Sequence, residues 1–140
     1  MYNMNEEANL NYELEKFKVF YNILVRWIKI KQDKLDIKTM FYEHGYKKVI
    51  IYGMAELGEL LYDEIINSDI EIVCVIDRNP DKVYARVPVY SPSEDIPNAD
   101  VVVVTAVSAY KEITNKLKEK CSCPMISIED VVHYVYVLRG

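Results

Sequence analysis

Lys47-Lys48-Val49-Ile50-Ile51-Tyr52-Gly53-Met54-Ala55-Glu56-Leu57-Gly58 is the stretch on which the fold turns. Two cations lead into an unbroken apolar run that Gly53 ends, the pattern of a strand buried on both faces. From Glu56 to Asn67 the apolar residues recur at helical spacing, with Leu57, Leu60, Leu61, Ile65 and Ile66 expected inward. A strand passing through a glycine turn directly into a helix is the context that a dinucleotide fingerprint requires. Each position then has a task. Gly53 permits the tight turn, and the backbone from Met54 to Leu57 turns amide hydrogens toward an anion. Ala55 stands where that backbone approaches a phosphate, and Gly58 lets the helix lie close to the sheet. Two residues depart from the pattern. Ala55 replaces the middle glycine, and its methyl group pushes a pyrophosphate outward. Glu56 puts a negative charge where the phosphate should lie, so Glu56 satisfying the helix end by itself is the competing reading.

Downstream the alternation continues. Ile70 to Ile76 reads as a second strand, closed by Asp77-Arg78-Asn79-Pro80. Asp77 lies nineteen residues beyond Gly58, close to the spacing at which a carboxylate grips ribose hydroxyls, although the same tetrapeptide is good turn chemistry. Arg78 can stack on a base or meet a phosphate. Val87 to Tyr90 is a short strand, followed by a turn or helix from Ser91 to Ile96. Val101 to Thr105 is too apolar for a wet face. Thr105 and Ser108, at its carboxyl end, would line the same crevice, with Ser108 also suited to cap a helix running to Lys120. Met125 to Ile128 makes a last strand before a helix at Glu129–Val137. Apolar strands alternating with helices call for a parallel sheet covered on both sides. Right-handed crossovers then favour an α/β fold with a doubly wound, five-stranded Rossmann-like sheet of order 3-2-1-4-5.

Upstream the character changes. No glycine or proline occurs before Gly45, as expected of helices. Asn9 to Lys31 reads as one helix, with Leu10, Leu14, Phe17, Tyr21, Leu24 and Ile28 spaced alternately by four and three. Phe20, Ile23, Trp27 and Ile30 widen the apolar arc past half the circumference. Such a helix needs a second surface besides its own domain, for which a second copy of the chain is the expected partner. Asp36 to His44 is a shorter helix, with Asp36 as cap, Gly45 as left-handed terminator, and Ile37, Met40 and Phe41 inward. The organisation expected is a helical extension over residues 1–46, used for packing and dimerisation, and a Rossmann-like domain over 47–140.

Composition narrows the function. The 140 residues are 51% apolar and 28% charged, with a net charge of −5. That is globular composition, and an acidic chain lacks the basic face that general nucleic-acid binding needs. No apolar stretch approaches the roughly 20 residues of a membrane span, and the acidic start is unlike a signal peptide, so a cytoplasmic location is expected. Lys16–Lys34, with six cations and one acid among aromatics, has some likeness to a membrane-surface helix. Its cations flank a mostly buried arc, so packing on protein is the reading adopted. Cys74, Cys121 and Cys123 read as reduced thiols; C-x-C spacing with only His44 and His133 in the chain makes no zinc set, and no metal is expected.

Residues 47 to about 130, some 60% of the chain, resemble the Rossmann-like modules of bacterial surface-polysaccharide biosynthesis proteins. These are the nucleotide-binding domain of CapD-type epimerases/dehydratases and the N-terminal domain of PglD-type sugar acyltransferases. The similar features are Lys48-Val-Ile-Ile-Tyr-Gly53, Gly58, Val75-Ile-Asp77 with Asn79-Pro80, and Val87-Pro-Val-Tyr90 leading into Ser91-Pro-Ser-Glu-Asp95. The resemblance implies a module holding NAD(P), a nucleotide sugar or a related phosphate-bearing ligand, with Gly53, Ala55, Gly58 and Asp77 as contacts. A catalytic constellation is not evident. No Tyr-x-x-x-Lys outside Tyr12–Lys16 of the first helix occurs, neither histidine makes a convincing general base, and no nucleophile elbow or P-loop lysine is present. The chain reads as a binder. The alternatives are an assembly module that has lost its ligand, or one domain of a larger sugar-modifying enzyme.

Overall fold

A computed structural model describes residues 3–140. The elements follow in the order α1 (Met4–Gln32), α2 (Lys38–His44), β1 (Lys48–Tyr52), α3 (Glu56–Ile65), β2 (Glu71–Ile76), β3 (Val89–Tyr90), β4 (Val101–Val104), α4 (Tyr110–Leu117), β5 (Met125–Ser127) and α5 (Ile128–Val137). The five strands form one sheet of order β3-β2-β1-β4-β5, and every neighbouring pair is parallel. The doubly wound arrangement expected from the alternation of apolar strands and helices is therefore present.

The central strands are buried on both sides because each residue has a neighbour on one face or the other. Val49, Ile51, Ile72, Val75, Val101 and Val103 share a core with α1, α2, α3 and α5. Ile50, Tyr52, Cys74, Ile76, Val102 and Val104 share the other with Ile113 and Leu117 of α4. Four helices thus cover one face and a single helix the other. In β2 the pairing steps from Val49↔Ile72 to Ile50↔Cys74, so Val73 is an extra residue. This bulge places Val73 and Cys74 in succession on the α4 side.

Several boundaries differ from expectation for local reasons. The first helix starts at Met4, earlier than Asn9, because Asn3 and Glu6 form a reciprocal capping box that satisfies two terminal amides. Its buried residues are Ile23, Trp27 and Ile30, whereas the four-three stripe, apart from half-buried Leu24, faces outward. In α3 Leu60 is exposed and Tyr62 is buried instead, its hydroxyl accepting the Arg86 amide at 2.7 Å. Ser108 does not cap α4: it lies in a 3-10 turn, Val107–Ala109, and no side chain caps the helix, which stops at Leu117. Ser127 ends β5 and caps α5, its hydroxyl accepting from the Asp130 amide at 3.2 Å. The second helix starts at Lys38, later than Asp36, with Ile37 at its N-cap position and no side-chain cap. Asp36 accepts the Lys38 amide from just outside it, and Gly45 ends the helix at φ 71° as expected.

Asp100 ties the strand starts together. Its Oδ2 accepts the amides of Lys47 and Lys48, each at 2.8 Å, and those hydrogen bonds lower its pKa below the ordinary aspartate value. A depressed carboxylate pKa contributes stability above the unfolded-state value, and that contribution is lost as pH falls through the folded value. The urea midpoint of Asp100→Asn should therefore lie below that of the parent chain at neutral pH, and the gap should close on acidification below about pH 4. A gap independent of pH would refute the role given to the ionised carboxylate.

Candidate functional site

The crevice of a doubly wound sheet opens where the strand order reverses, outside the carboxyl ends of the strands. Here that point lies between β1 and β4, and the turn after β1 meets the end of β4 directly. Gly53 adopts φ +97°, and a Cβ built on it would lie 2.7 Å from Thr105 Oγ1. Gly58 brings α3 close enough that its own Cβ would sit 1.9 Å from the Gly53 carbonyl oxygen. Both glycines do the shaping work that their spacing suggested. Thr105 completes the junction from below: its buried hydroxyl is shared between the Tyr52 and Gly53 carbonyls at 3.0 and 2.8 Å. It is a clamp on the turn, with no hydroxyl hydrogen left for a ligand.

The turn is also strapped to β2. The Gly53 amide donates to the Ile76 carbonyl at 2.7 Å, and the Met54 amide donates to Asp77 Oδ2 at 2.9 Å. Asp77 Oδ1 accepts the Asn79 amide at 2.8 Å, so the turn role and the crevice position of Asp77 coexist. A carboxylate has about four acceptor directions, and the two protein bonds leave others for ribose hydroxyls. The side chains of Met54 and Leu57 are buried in the core, so only their backbone can serve a ligand. Ala55 and Glu56 are exposed, and no side chain caps α3. The amides of Ala55, Glu56 and Leu57 have no protein acceptor among the described residues, and Glu56 takes no hydrogen bond there. Glu56 filling the helix end is thus not what the geometry shows; the residue that occupies a turn amide is Asp77.

Tyr52, the last residue of β1, is buried directly before the glycine turn. Burial raises its hydroxyl above the ordinary tyrosine pKa, and the neighbouring Arg78 guanidinium opposes that rise. Asp77 and Glu112 add to the rise, and the ring packs in one cluster with Tyr110 and Ile113 of α4. Exposed Ser108 lies farther along, on a cavity of about 520 Å³ that Tyr110, Glu112, Ser127 and Asp130 also line. The Tyr110 hydroxyl donates to the Met125 carbonyl at 2.8 Å. Glu112, Glu129 and Asp130 against Lys111 make this cavity acidic. None of the residues of the glycine turn, nor Asp77, lines it, so Ser108 is set apart from the turn with which it was expected to share a crevice.

Residues suited to covalent or metal chemistry are not gathered here. Burial pushes the Cys74 thiol up to about 11 and the Cys123 thiol, beside Cys121, up to about 12, so both stay protonated and unreactive near neutrality. His44 Nδ1 donates to the Met40 carbonyl at 2.8 Å and its ring stacks on Tyr46, away from the crevice. Among the described residues no group of three or more His, Cys, Asp or Glu is placed to hold a metal ion, and no helix is long and apolar enough to cross a membrane.

The family described as C2185-like, N-terminal, matches residues 45–129, which include the turn, Asp77, Thr105 and Ser108. The chain belongs to this family. No curated protein matches the chain. A chorismate mutase/shikimate 5-dehydrogenase fusion protein from Clostridium acetobutylicum is similar in structure, at 12% identity and a TM-score of 0.46. The alignment covers 84% of this chain and 54% of that one, so the chain spans about half the length of the fusion protein.

Proposed function

We propose that this chain is a nucleotide-binding Rossmann-like module, holding NAD or a nucleotide sugar in surface-polysaccharide metabolism, and that it binds without catalysing. The observation that carries the reading is the uncapped start of α3: three successive amides, at Ala55, Glu56 and Leu57, open at the switch point of the sheet. A diphosphate lies over these amides. The ribose turns its hydroxyls to the remaining lone pairs of Asp77, whose charge repels a 2′-phosphate and so favours NAD over NADP. The acidic cavity beside Ser108 suits a hydroxyl-rich or cationic end group, which a second phosphate would not be. The link to polysaccharide metabolism rests on the resemblance of residues 47–130 alone.

Thermal unfolding with NAD, NADP, UDP-sugars and coenzyme A tests the proposal. At ten times Kd a ligand adds about 1.4 kcal/mol of stability, a rise of roughly 4 °C for a chain of this size. NAD or a UDP-sugar should produce that rise, with NADP weaker than NAD. Glu56→Gln should tighten binding by about two- to fivefold, because it removes a like charge beside the phosphate at the helix start. The bond from the Met54 amide to Asp77 favours a second reading, an assembly module whose turn is closed by its own carboxylate. No stabilisation by any of these ligands at millimolar concentration would leave only that second reading.

A further inference from the structure

Helix α1 carries two apolar faces, and the fold uses one. Ile23, Trp27 and Ile30 are buried against the body, with Val19, Phe20 and Leu24 packed partly beside them. Residues 3–18 are all exposed, so the first fifteen residues of the helix, about 22 Å of it, stand clear of the domain. A helix of that length without tertiary contacts is marginal in water, since packing of an apolar face supplies most helical stability. The unused face is strongly apolar: Leu10, Leu14, Phe17, Tyr21 and Ile28 are 47%, 50%, 67%, 66% and 56% exposed.

The spacing of that face says what covers it. Leu10, Phe17 and Leu24 occupy heptad position d, and Leu14, Tyr21 and Ile28 occupy position a, a 3.5-residue period held from Leu10 to Ile28. In this frame Glu13 is at g and Lys18 at the following e. That is the pair which meets across the seam of two parallel copies. Within one chain Glu13 reaches Lys16 at 3.5 Å and Lys18 reaches Glu15 at 3.3 Å, exposed pairs of little strength that can exchange partners. The most deeply buried residues facing the body, Ile23, Trp27 and Ile30, lie at c and g, to one side of the seam, and half-buried Leu24 at d is shared between the body and the seam. Residues 4–18 hold four glutamates and two lysines, a balance that repels an anionic membrane.

We propose that the chain forms a parallel homodimer through a short two-stranded coiled coil built on the Leu10–Ile28 stripe of α1, with Glu13 of each copy meeting Lys18 of the other. The inference does not depend on the ligand. Sedimentation equilibrium of the full chain over a dilution series should show a reversible dimer. The double variant Leu14→Lys/Phe17→Lys should weaken it at least about a hundredfold, two apolar contacts per chain being replaced by like charges. Both residues lie outside the body, so the unfolding transition of the domain should stay in place, which separates lost association from lost folding. Glu13→Lys and Lys18→Glu should each weaken self-association about two- to tenfold, and an equimolar mixture of the two should form heterodimers. In a Cys121→Ser/Cys123→Ser background, Leu10→Cys should cross-link on oxidation, as parallel copies require. A chain monomeric at every concentration, a dimer indifferent to the lysine substitutions, or no cross-link at Leu10 overturns the proposal. Co-sedimentation of a monomeric chain with phosphatidylserine-containing vesicles overturns it in favour of a membrane partner.

Discussion

Replacing Gly58 with alanine is expected to destabilise the protein by more than about 3 kcal/mol, at the upper end of overpacking effects. The added Cβ would lie 1.9 Å from the Gly53 carbonyl oxygen, 2.8 Å from its carbon and 3.2 Å from Thr105 Oγ1. The two nearest atoms are backbone and cannot rotate aside, so either α3 lifts off the sheet or the exit of β1 moves. Both movements break the Gly53 and Met54 bonds that strap the turn to β2. The sign is informative, because glycine to alanine inside a helix ordinarily gains about 1 kcal/mol. Gly45 is the control. It needs its left-handed φ of +71° but has nothing within 4 Å of a Cβ, so Gly45→Ala should cost only about 1–2 kcal/mol from backbone strain. Urea unfolding of the two variants checks the contrast. Gly58→Ala equal to or milder than Gly45→Ala would mean that the close approach of helix to turn is misjudged, and with it the shape of the proposed phosphate cradle.

Phe41→Ala is expected to cost about 3–5 kcal/mol and to lower the stability of the whole chain, α2 and the sheet together. Phe41 is fully buried, and it shares one core with Val49, Ile51 and Val101 of the sheet and Val131 and Val135 of α5. A cavity there removes contacts from both segments at once. Trp27 makes the effect measurable, since it is the single tryptophan and sits at the body end of α1, its indole nitrogen donating to Glu64 of α3 at 3.3 Å. Tryptophan fluorescence and far-ultraviolet circular dichroism should give coincident urea transitions in the parent chain, shifted together in Phe41→Ala. Two separate transitions, with only the fluorescence moved, would instead make residues 1–46 a unit that folds apart from 47–140.

The parts of this structure legible in the linear chain are those where local chemistry has one solution. An apolar run such as Val49–Tyr52 or Val101–Val104 has no solvated face to offer, so it must be an inner strand of a covered sheet. Gly45 and Gly53 announced their turns because other residues resist positive φ. The direction of α1 was not legible, because both its four-three stripe and the stripe through Ile23, Trp27 and Ile30 are apolar. Periodicity shows that a face is apolar without showing what covers it. Ser127 was legible in principle: a serine three residues before Asp130 is an N-cap pattern, hidden here by the strand into which it runs.

For the candidate site, the order of residues was sufficient to locate the turn, its two shaping glycines and the acid at the end of β2, since each acts through its own backbone or its distance along the chain. Folding in three dimensions decided what those groups do to each other. It brought Asp77 to the Met54 amide, turned the Thr105 hydroxyl under Gly53, left Glu56 free in solvent and packed Tyr52 against Tyr110 and Ile113. Those contacts join residues far apart in the chain, and their energies depend on distances of a few tenths of an ångström that no local pattern encodes.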